Sequence, residues 1–436
     1  GPEVIEQATA AVFLWLRQRR VARVGLGLFG TGSGMARRTA LIAQLRGMGR
    51  GAWPASVCWL TRHRQRAAWL RRQLGLSTPG EAGPHRRQDR GHPLPDYLLV
   101  RQEQEGRRTV LRATLLRGQT KAALPTGCRP LEARLQTQVF APLAGGAGTA
   151  GIEAAGRALA ALLPEPVTTA LANAGSLPLV VVHDLAASRW PWETLTLGPA
   201  QHRPALVGGL SRHLESPALD AARWQRLRPT TQPVPVLLVA NPTEDLAGAE
   251  EEGERLAALW SGDPRLALTI LRGREATRSR VLEALRSGRF DLVHYAGHAL
   301  FDEVRPGDSG LLCARRERLR GSDLAGLALP PRLLLANACE SGRVRRAGDG
   351  LRRAALSAGL AEAFLGAGIA HYLGTWWQVT DGPAARFATV FHARLLAGDS
   401  CGAAVLAARR GVQKAGSADW ADYLHYGDPA TVLLPR

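Results

Sequence analysis

The sequence predicts an α/β protein whose larger part is built on a mostly parallel sheet. Three observations lead there. From residue 177 onward, strand-like and helix-like segments alternate. Several strands, such as Val236-Leu237-Leu238-Val239 and Leu333-Leu334-Leu335, are apolar throughout, the pattern of strands covered on both faces. The composition, 45% hydrophobic and 21% charged over 436 residues, is that of a globular chain. It excludes a disordered chain, a collagen and a disulfide-dense miniprotein. The length implies two or three domains.

The N-terminal region, residues 3–76, reads as a small α/β unit: helix 4–19, strand 21–29, helix 35–45, strand 55–60 and helix 62–74. The opening Gly1-Pro2 reads as a scar of tag removal, and no signal peptide is expected. Residues 77–95 are rich in Pro, Gly, His and Arg and read as a linker. Strands at 97–102 and 108–116 flank Glu105-Gly106 as a hairpin. Helices are expected at 131–143 and 152–163, separated by the small residues 145–151. Further strands are expected at 179–183, 234–240, 267–271, 290–296, 332–336 and 369–375. Helices are expected at 250–260, 278–286, 351–365 and 384–396. No apolar run reaches the roughly 18 residues of a membrane helix, so no membrane insertion is expected.

The charge is lopsided. Residues 1–150 hold 24 Lys and Arg against 8 Asp and Glu, most of the formal +19 of the whole chain. Such a surface could face nucleic acid, acidic protein or anionic lipid. Only Lys121 and Lys414 are lysines, however, and an Arg-for-Lys bias also follows from a GC-rich genome, so nucleic acid is not expected as a partner. The five cysteines, Cys58, Cys128, Cys313, Cys339 and Cys401, are scattered and never spaced C-x-x-C. That spacing indicates neither a zinc site nor a disulfide framework, and a reducing, cytoplasmic compartment fits; no metal or cofactor is expected.

Three segments invite chemistry. The glycines of residues 25–34 lie between a strand and a helix, where a phosphate loop would sit. Gly34 is followed by Met35-Ala36-Arg37 and not by Lys-Ser/Thr, so a tight turn is the better reading. His298 stands just past the expected end of the strand 290–296, and Cys339 just past that of 332–336. Alone, the first could be a core or capping histidine and the second a small core residue. Together they stand at the carboxyl ends of neighbouring strand–helix units, where open α/β sheets gather catalytic groups. An imidazole beside a thiol makes the thiolate, the effective nucleophile.

The segments His294-Tyr295-Ala296-Gly297-His298 and Asn337-Ala338-Cys339-Glu340-Ser341 resemble the His and Cys motifs of the CHAT-domain peptidases, relatives of caspases and separases. Pro191-Trp192-Glu193, the block from Gly374 to Asp381, residues 402–408 and Gly427-Asp428-Pro429 are similar to further blocks of the family, in the same order. The resemblance implies a caspase-like three-layer α/β/α sandwich, with residues 96–230 as the front half of the CHAT domain and 231–436 as the catalytic half.

It implies cysteine endopeptidase chemistry. Cys339 would be the nucleophile and His298 the general base and acid. The backbone N–H groups of Cys339 and Ala299 would hold the oxyanion; Ala299 stands where the family usually has Gly. His294 is expected to be structural. Asp184, Asp381 and Trp376 are expected at the substrate-binding mouth, with Asp381 selecting a basic residue before the cut. Asp381 could instead cap the following helix. The basic loop 342–350 is a place for self-cleavage or simply a solvated turn. The resemblance further implies a dedicated protein substrate, such as a gasdermin-like pore former in bacterial defence or regulated cell death, and an activating partner. The alternative is an inactive CHAT-like scaffold presenting its basic front surface.

Overall fold

The computed structural model describes residues 7, 9–10, 94–118, 127–143, 148–215, 231–300, 309–324, 327–340, 360–376 and 379–434, with backbone alone at 23–27, 56–60 and 339–340. Of the helix expected at 4–19 only residues 7 and 9–10 are described; the helices expected at 35–45 and 62–74, most of the linker 77–95, the loop 342–350 and the first part of helix 351–365 lie outside the described residues. The chain divides into two units, Gly1–Arg90 and Gly91–Arg436. In the first, β1 (Arg23–Gly27) pairs in parallel with β2 (Ser56–Leu60), Val24 opposite Val57.

The second unit carries thirteen described strands in one sheet. In chain order they are β3 (Asp96–Glu105), β4 (Arg108–Leu116), β5 (Gly127–Pro130), β6 (Leu179–His183), β7 (Leu210–Leu214), β8 (Val234–Ala240), β9 (Leu266–Arg272), β10 (Leu292–Leu300), β11 (Gly310–Leu312), β12 (Arg318–Arg320), β13 (Leu333–Glu340), β14 (His371–Thr375) and β15 (Tyr423–Tyr426). Strands β9, β8, β10, β13 and β14 form one parallel block. β15 meets β14 antiparallel, and β15, β7, β6 and β3 continue as a second parallel block. The two blocks therefore run in opposite directions. β4 and β5 extend the far edge as antiparallel strands, and the β11–β12 hairpin attaches to the end of β10.

Among the described helices are α1 (Ala133–Phe140), α2 (Thr149–Ala160), α3 (Glu165–Ala172), α4 (Ala247–Ser261), α5 (Arg278–Arg286), α6 (Asp381–Leu396) and α7 (Cys401–Lys414). α5 starts where Thr277 accepts a hydrogen bond from the Arg280 N–H, and α7 where Ser400 accepts from Ala403 N–H, the usual N-terminal caps. Helix α6 packs between α4 and α7. α4 and α6 cover the face of β10 and β13 that bears His294 and Asn337. The helix at 360–366 covers the other face, with Phe364 5.3 Å from the ring of Tyr372. These are the three layers expected of the sandwich. Among the described residues no helix is long and apolar enough to cross a membrane.

A buried ionic cluster joins β7 and β15 of the second block to helix α7. Arg212 on β7 is fully buried and donates to both carboxylate oxygens of Glu193 and to the carbonyls of Ser188 and Trp190. Arg409 on α7 bonds the carbonyls of Leu210 and Tyr423 and lies 3.7 Å from Glu193. The acid of Pro191-Trp192-Glu193 is thus the counter-charge of the two buried arginines. Burial pulls Arg409 down to about 10, against the pull of Glu193.

Two strand ends differ from expectation. β10 and β13 continue past residues 296 and 336, to Leu300 and Glu340. Their small and polar residues look like loop, but the parallel register carries on through Gly297, His298 and Ala299, and β11 adds a partner at Ala299 and Leu300. Tertiary pairing overrides the local propensity.

Candidate active site

β8, β10 and β13 run side by side, and their carboxyl ends meet at one edge of the sheet. The register pairs His294 with Leu335, Ala296 with Asn337, and His298 with Cys339. His298 and Cys339, the two positions singled out in the sequence, thus lie directly across from one another on adjacent strands.

Tyr295 and Gly297 shape the approach. A Cβ at position 297 would stand 2.7 Å from the Tyr295 hydroxyl oxygen, so only glycine lets the ring fold beneath the strand. That hydroxyl lies 2.7 Å from both the His298 and the Leu312 carbonyl oxygens. Burial pushes its pKa well above the usual phenol value, so it stays protonated and donates. It pins the backbone at His298 to the end of β11.

His298 is 7% exposed. Its Nε2 lies 3.0 Å from Oδ1 of Asp245, a residue of the loop between β8 and α4. The other oxygen of Asp245 accepts from Arg316 at 2.7 Å, and the Thr243 hydroxyl donates to Oδ1. Burial pushes the Asp245 carboxyl up. The Thr243 hydrogen bond and the charges of His298 and Arg316 outweigh it, and the group sits below the usual carboxylate range. The loop is anchored: Asn241 N–H donates to the Ala296 carbonyl, and Asn241 Oδ1 accepts from Leu246 N–H. With Nε2 turned to Asp245, Nδ1 is the imidazole nitrogen left for other chemistry.

Beneath this edge lies a buried polar network. His294 Nε2 meets Glu252 Oε1 at 2.7 Å, and its Nδ1 meets His392 Nε2 at 3.1 Å. Asn337 donates to both oxygens of Glu252 and accepts from the Tyr423 hydroxyl. Burial, then the neighbouring His294, hold His392 well below the usual histidine value. The network fixes α4, and with it the Asp245 loop, to β10 and β13. His294 accordingly stands in the framework.

The remaining positions fare differently. Asp381 is exposed and opens α6 after its N-cap, Thr380, so Asp381 is not itself the cap. A Cβ on Gly248, three residues after Asp245, would stand 2.2 Å from the Asp381 Cγ, so Asp381 lies against the start of α4. Asp184 is not brought to this edge. It follows β6, in the block that runs the opposite way, so its strand ends at the other edge of the sheet. Its oxygens accept from the N–H groups of Ala187 and Gln102. Trp376 is 4% exposed, stacked near Phe140 (6.4 Å) with Arg212 over its ring (5.6 Å), which makes it a core residue and not an open lining. Ala299 is fully buried and pairs with Leu311 and Glu340.

Of the described cysteine side chains, Cys313 and Cys401 are buried and Cys128 is exposed. Burial pushes Cys313 up to about 12 and Cys401 higher still. Neither is a ready nucleophile.

The comparison with protein families matches the CHAT domain over residues 153–428. The chain belongs to the CHAT-domain family, whose caspase-like members are cysteine peptidases. Among solved structures, it is similar to the crystal structure of the Saccharomyces cerevisiae separase–securin complex at 17% identity and a TM-score of 0.38. That match covers 58% of this chain and 15% of the other. A search of the curated proteins finds no match.

Asp245 escaped the sequence reading. Its signal was present: the polar run Asn241-Pro242-Thr243-Glu244-Asp245 follows the apolar strand β8 at the same sheet edge as His298.

Proposed function

We propose that the chain is a cysteine endopeptidase working through Cys339 and His298, with Asp245 as the positioning residue of the imidazole. His298 takes the Cys339 proton, and the thiolate attacks the scissile carbonyl. The backbone N–H of Cys339 holds the oxyanion, with that of Ala299, a rung of β10, as second donor. The tetrahedral species collapses to a thioester as His298 gives its proton to the leaving amine. Water, deprotonated by His298, then releases the acid and restores the thiol. Asp245 accepts from Nε2–H, which fixes the tautomer and stabilises the imidazolium. The observation that carries this reading is the pairing of positions 298 and 339 at the carboxyl ends of adjacent parallel strands.

The substrate is a dedicated protein, of which a gasdermin-like pore former in bacterial defence is one form, under the control of an activating partner in the cytoplasm. Residues 96–230 serve as the front half of the peptidase and 231–436 as the catalytic half, with the region 3–76 before the linker 77–95. Asp381 beside the Asp245 loop selects Arg or Lys before the cut by charge-assisted hydrogen bonds; a peptide library cleaved after Leu or Asp instead would remove that role. The test of the function is a comparison of new protein N-termini in cells expressing the wild type or Cys339→Ala. Cleaved neighbours in the wild type alone are expected, and identical sets would defeat the proposal. The full burial of Ala299 favours one rival, an inactive scaffold, for which those sets would be identical.

A further inference from the structure

Three metal-ligating side chains meet inside the second unit, away from His298. His371 opens β14, His425 lies on the antiparallel neighbour β15, and Cys401 opens α7. Leu373 is the rung partner of His425, so His371 and His425 share a face of the sheet two positions apart. All three are buried, at 3%, 0% and 0% exposure for His371, Cys401 and His425.

We propose that His371, Cys401 and His425 bind one Zn2+-like cation that clamps α7 onto the strands where the two parallel blocks meet. The ligand atoms of the three residues all lie within 4.8 Å of one another. His371 Nδ1 and His425 Nε2 are 3.4 Å apart. Two nitrogens bound to tetrahedral zinc at about 2.0–2.1 Å lie roughly 3.3–3.4 Å from each other. The spacing therefore suits a shared ion with little movement of either ring.

The surroundings fit a metal as well. Ser211 Oγ lies 2.8 Å from His425 Nδ1, the hydrogen bond that orients a ligand imidazole from behind and leaves Nε2 facing the cluster. At Gly427, with φ +143°, a Cβ would stand 2.3 Å from His371 Nδ1, so the chain lacks a side chain where the ligand nitrogen lies. Burial holds both imidazoles neutral, His371 down to about 4 and His425 well below the usual value, which keeps a lone pair on each. The Cys401 thiol is pushed up by burial and by Asp428, so binding must displace its proton: Cys–SH and Zn2+ give Cys–S–Zn+ and H+. The charge of Asp428 acts on both His371 and Cys401 and offsets part of the dication, while Arg332 opposes it. Two nitrogens and a sulfur select Zn2+ or a softer ion over Mg2+ and Ca2+, which require oxygen.

The sequence could not announce this site. Its members lie 30 and 24 positions apart, on two strands and a helix, with no C-x-x-C spacing. The rival is a plain N–H···N hydrogen bond between the imidazoles, with Cys401 as filler.

The test uses the full chain, grown with added zinc, washed with chelator and analysed for metal, then refolded with Co2+. About one zinc per chain is expected, and a cobalt spectrum with tetrahedral d–d bands and a thiolate-to-metal charge-transfer band. Cys401→Ser should lose that band and His425→Gln the stoichiometric metal, while Cys128→Ser keeps both. No retained zinc and no cobalt spectrum in the wild type, or a charge-transfer band that survives Cys401→Ser, would overturn the proposal. If Cys401→Ser fails to fold, the metal content and cobalt spectrum of the wild type decide the matter alone.

Discussion

His298 Nε2 and Asp245 Oδ1 stand 3.0 Å apart, joining the end of β10 to the loop that follows β8. Arg316 holds the other carboxylate oxygen, so the acid is oriented from both sides. In the proposed chemistry this pair sets which imidazole nitrogen faces the thiol.

Asp245→Asn keeps the shape and removes the anion. Peptide cleavage should fall about 100-fold, in the range of positioned acid–base groups. The loss should fall on kcat and leave KM nearly unchanged, because the carboxylate positions the imidazole and does not bind substrate. Stability should change little, since the Asp245 side chain is 40% exposed. An unchanged kcat would leave Asp245 with a purely structural role.

Gly297→Ala drives a methyl group toward the Tyr295 hydroxyl, 2.7 Å away. Overpacking of this kind costs about 1–3 kcal/mol. Tyr295→Phe removes the nearest of the atoms met, leaving the ring Cζ at 2.9 Å and Pro242 Cδ at 3.0 Å, and on its own forfeits a buried hydrogen bond. The double variant should therefore be more stable than the two single losses predict together. Strict additivity in denaturant titrations would show that the ring and the glycine do not constrain each other.

Two buried histidines make the fold sensitive to mild acid. Burial, then the charge of Arg212, pull His183 down to about 3, and burial with His294 pulls His392 well below its usual value. In the unfolded chain both titrate near pH 6.5. Below that pH the unfolded state binds more protons than the folded one, so stability is full above about pH 6.5 and declines as pH falls toward the folded values. Between pH 6.5 and 5 each should cost about 1–2 kcal/mol. Calorimetric scans should show Tm flat above pH 7 and falling below 6.5; a Tm that rises on acidification contradicts the assignment.

The legible parts of the fold were those where one local signal dominated. Strands β6 and β8 and helix α5 fall where their apolar runs and helical spacing put them. β7 did not stand out, because its Arg212 and His213 read as surface until Glu193, nineteen residues earlier, neutralises the arginine in the core. Asp184 was misplaced because strand direction is a tertiary fact: nothing local tells that β6 runs opposite to β10. Trp376 looked like a binding surface and is core, since its partners Phe140 and Arg212 come from distant segments. His298 and Cys339 could be singled out because each follows its own apolar run; Asp245 needed a third strand end to be set beside them.

The central claim is that Cys339 is an activated thiol paired with His298. The most direct measurement is brief alkylation with iodoacetamide near neutral pH, each cysteine quantified by mass spectrometry in the wild type and in His298→Ala. The account predicts that Cys339 is modified faster than the exposed Cys128, that the advantage disappears in His298→Ala, and that the buried Cys313 and Cys401 stay largely unlabelled. Labelling of Cys339 no faster than Cys128, unchanged by loss of the imidazole, would contradict it.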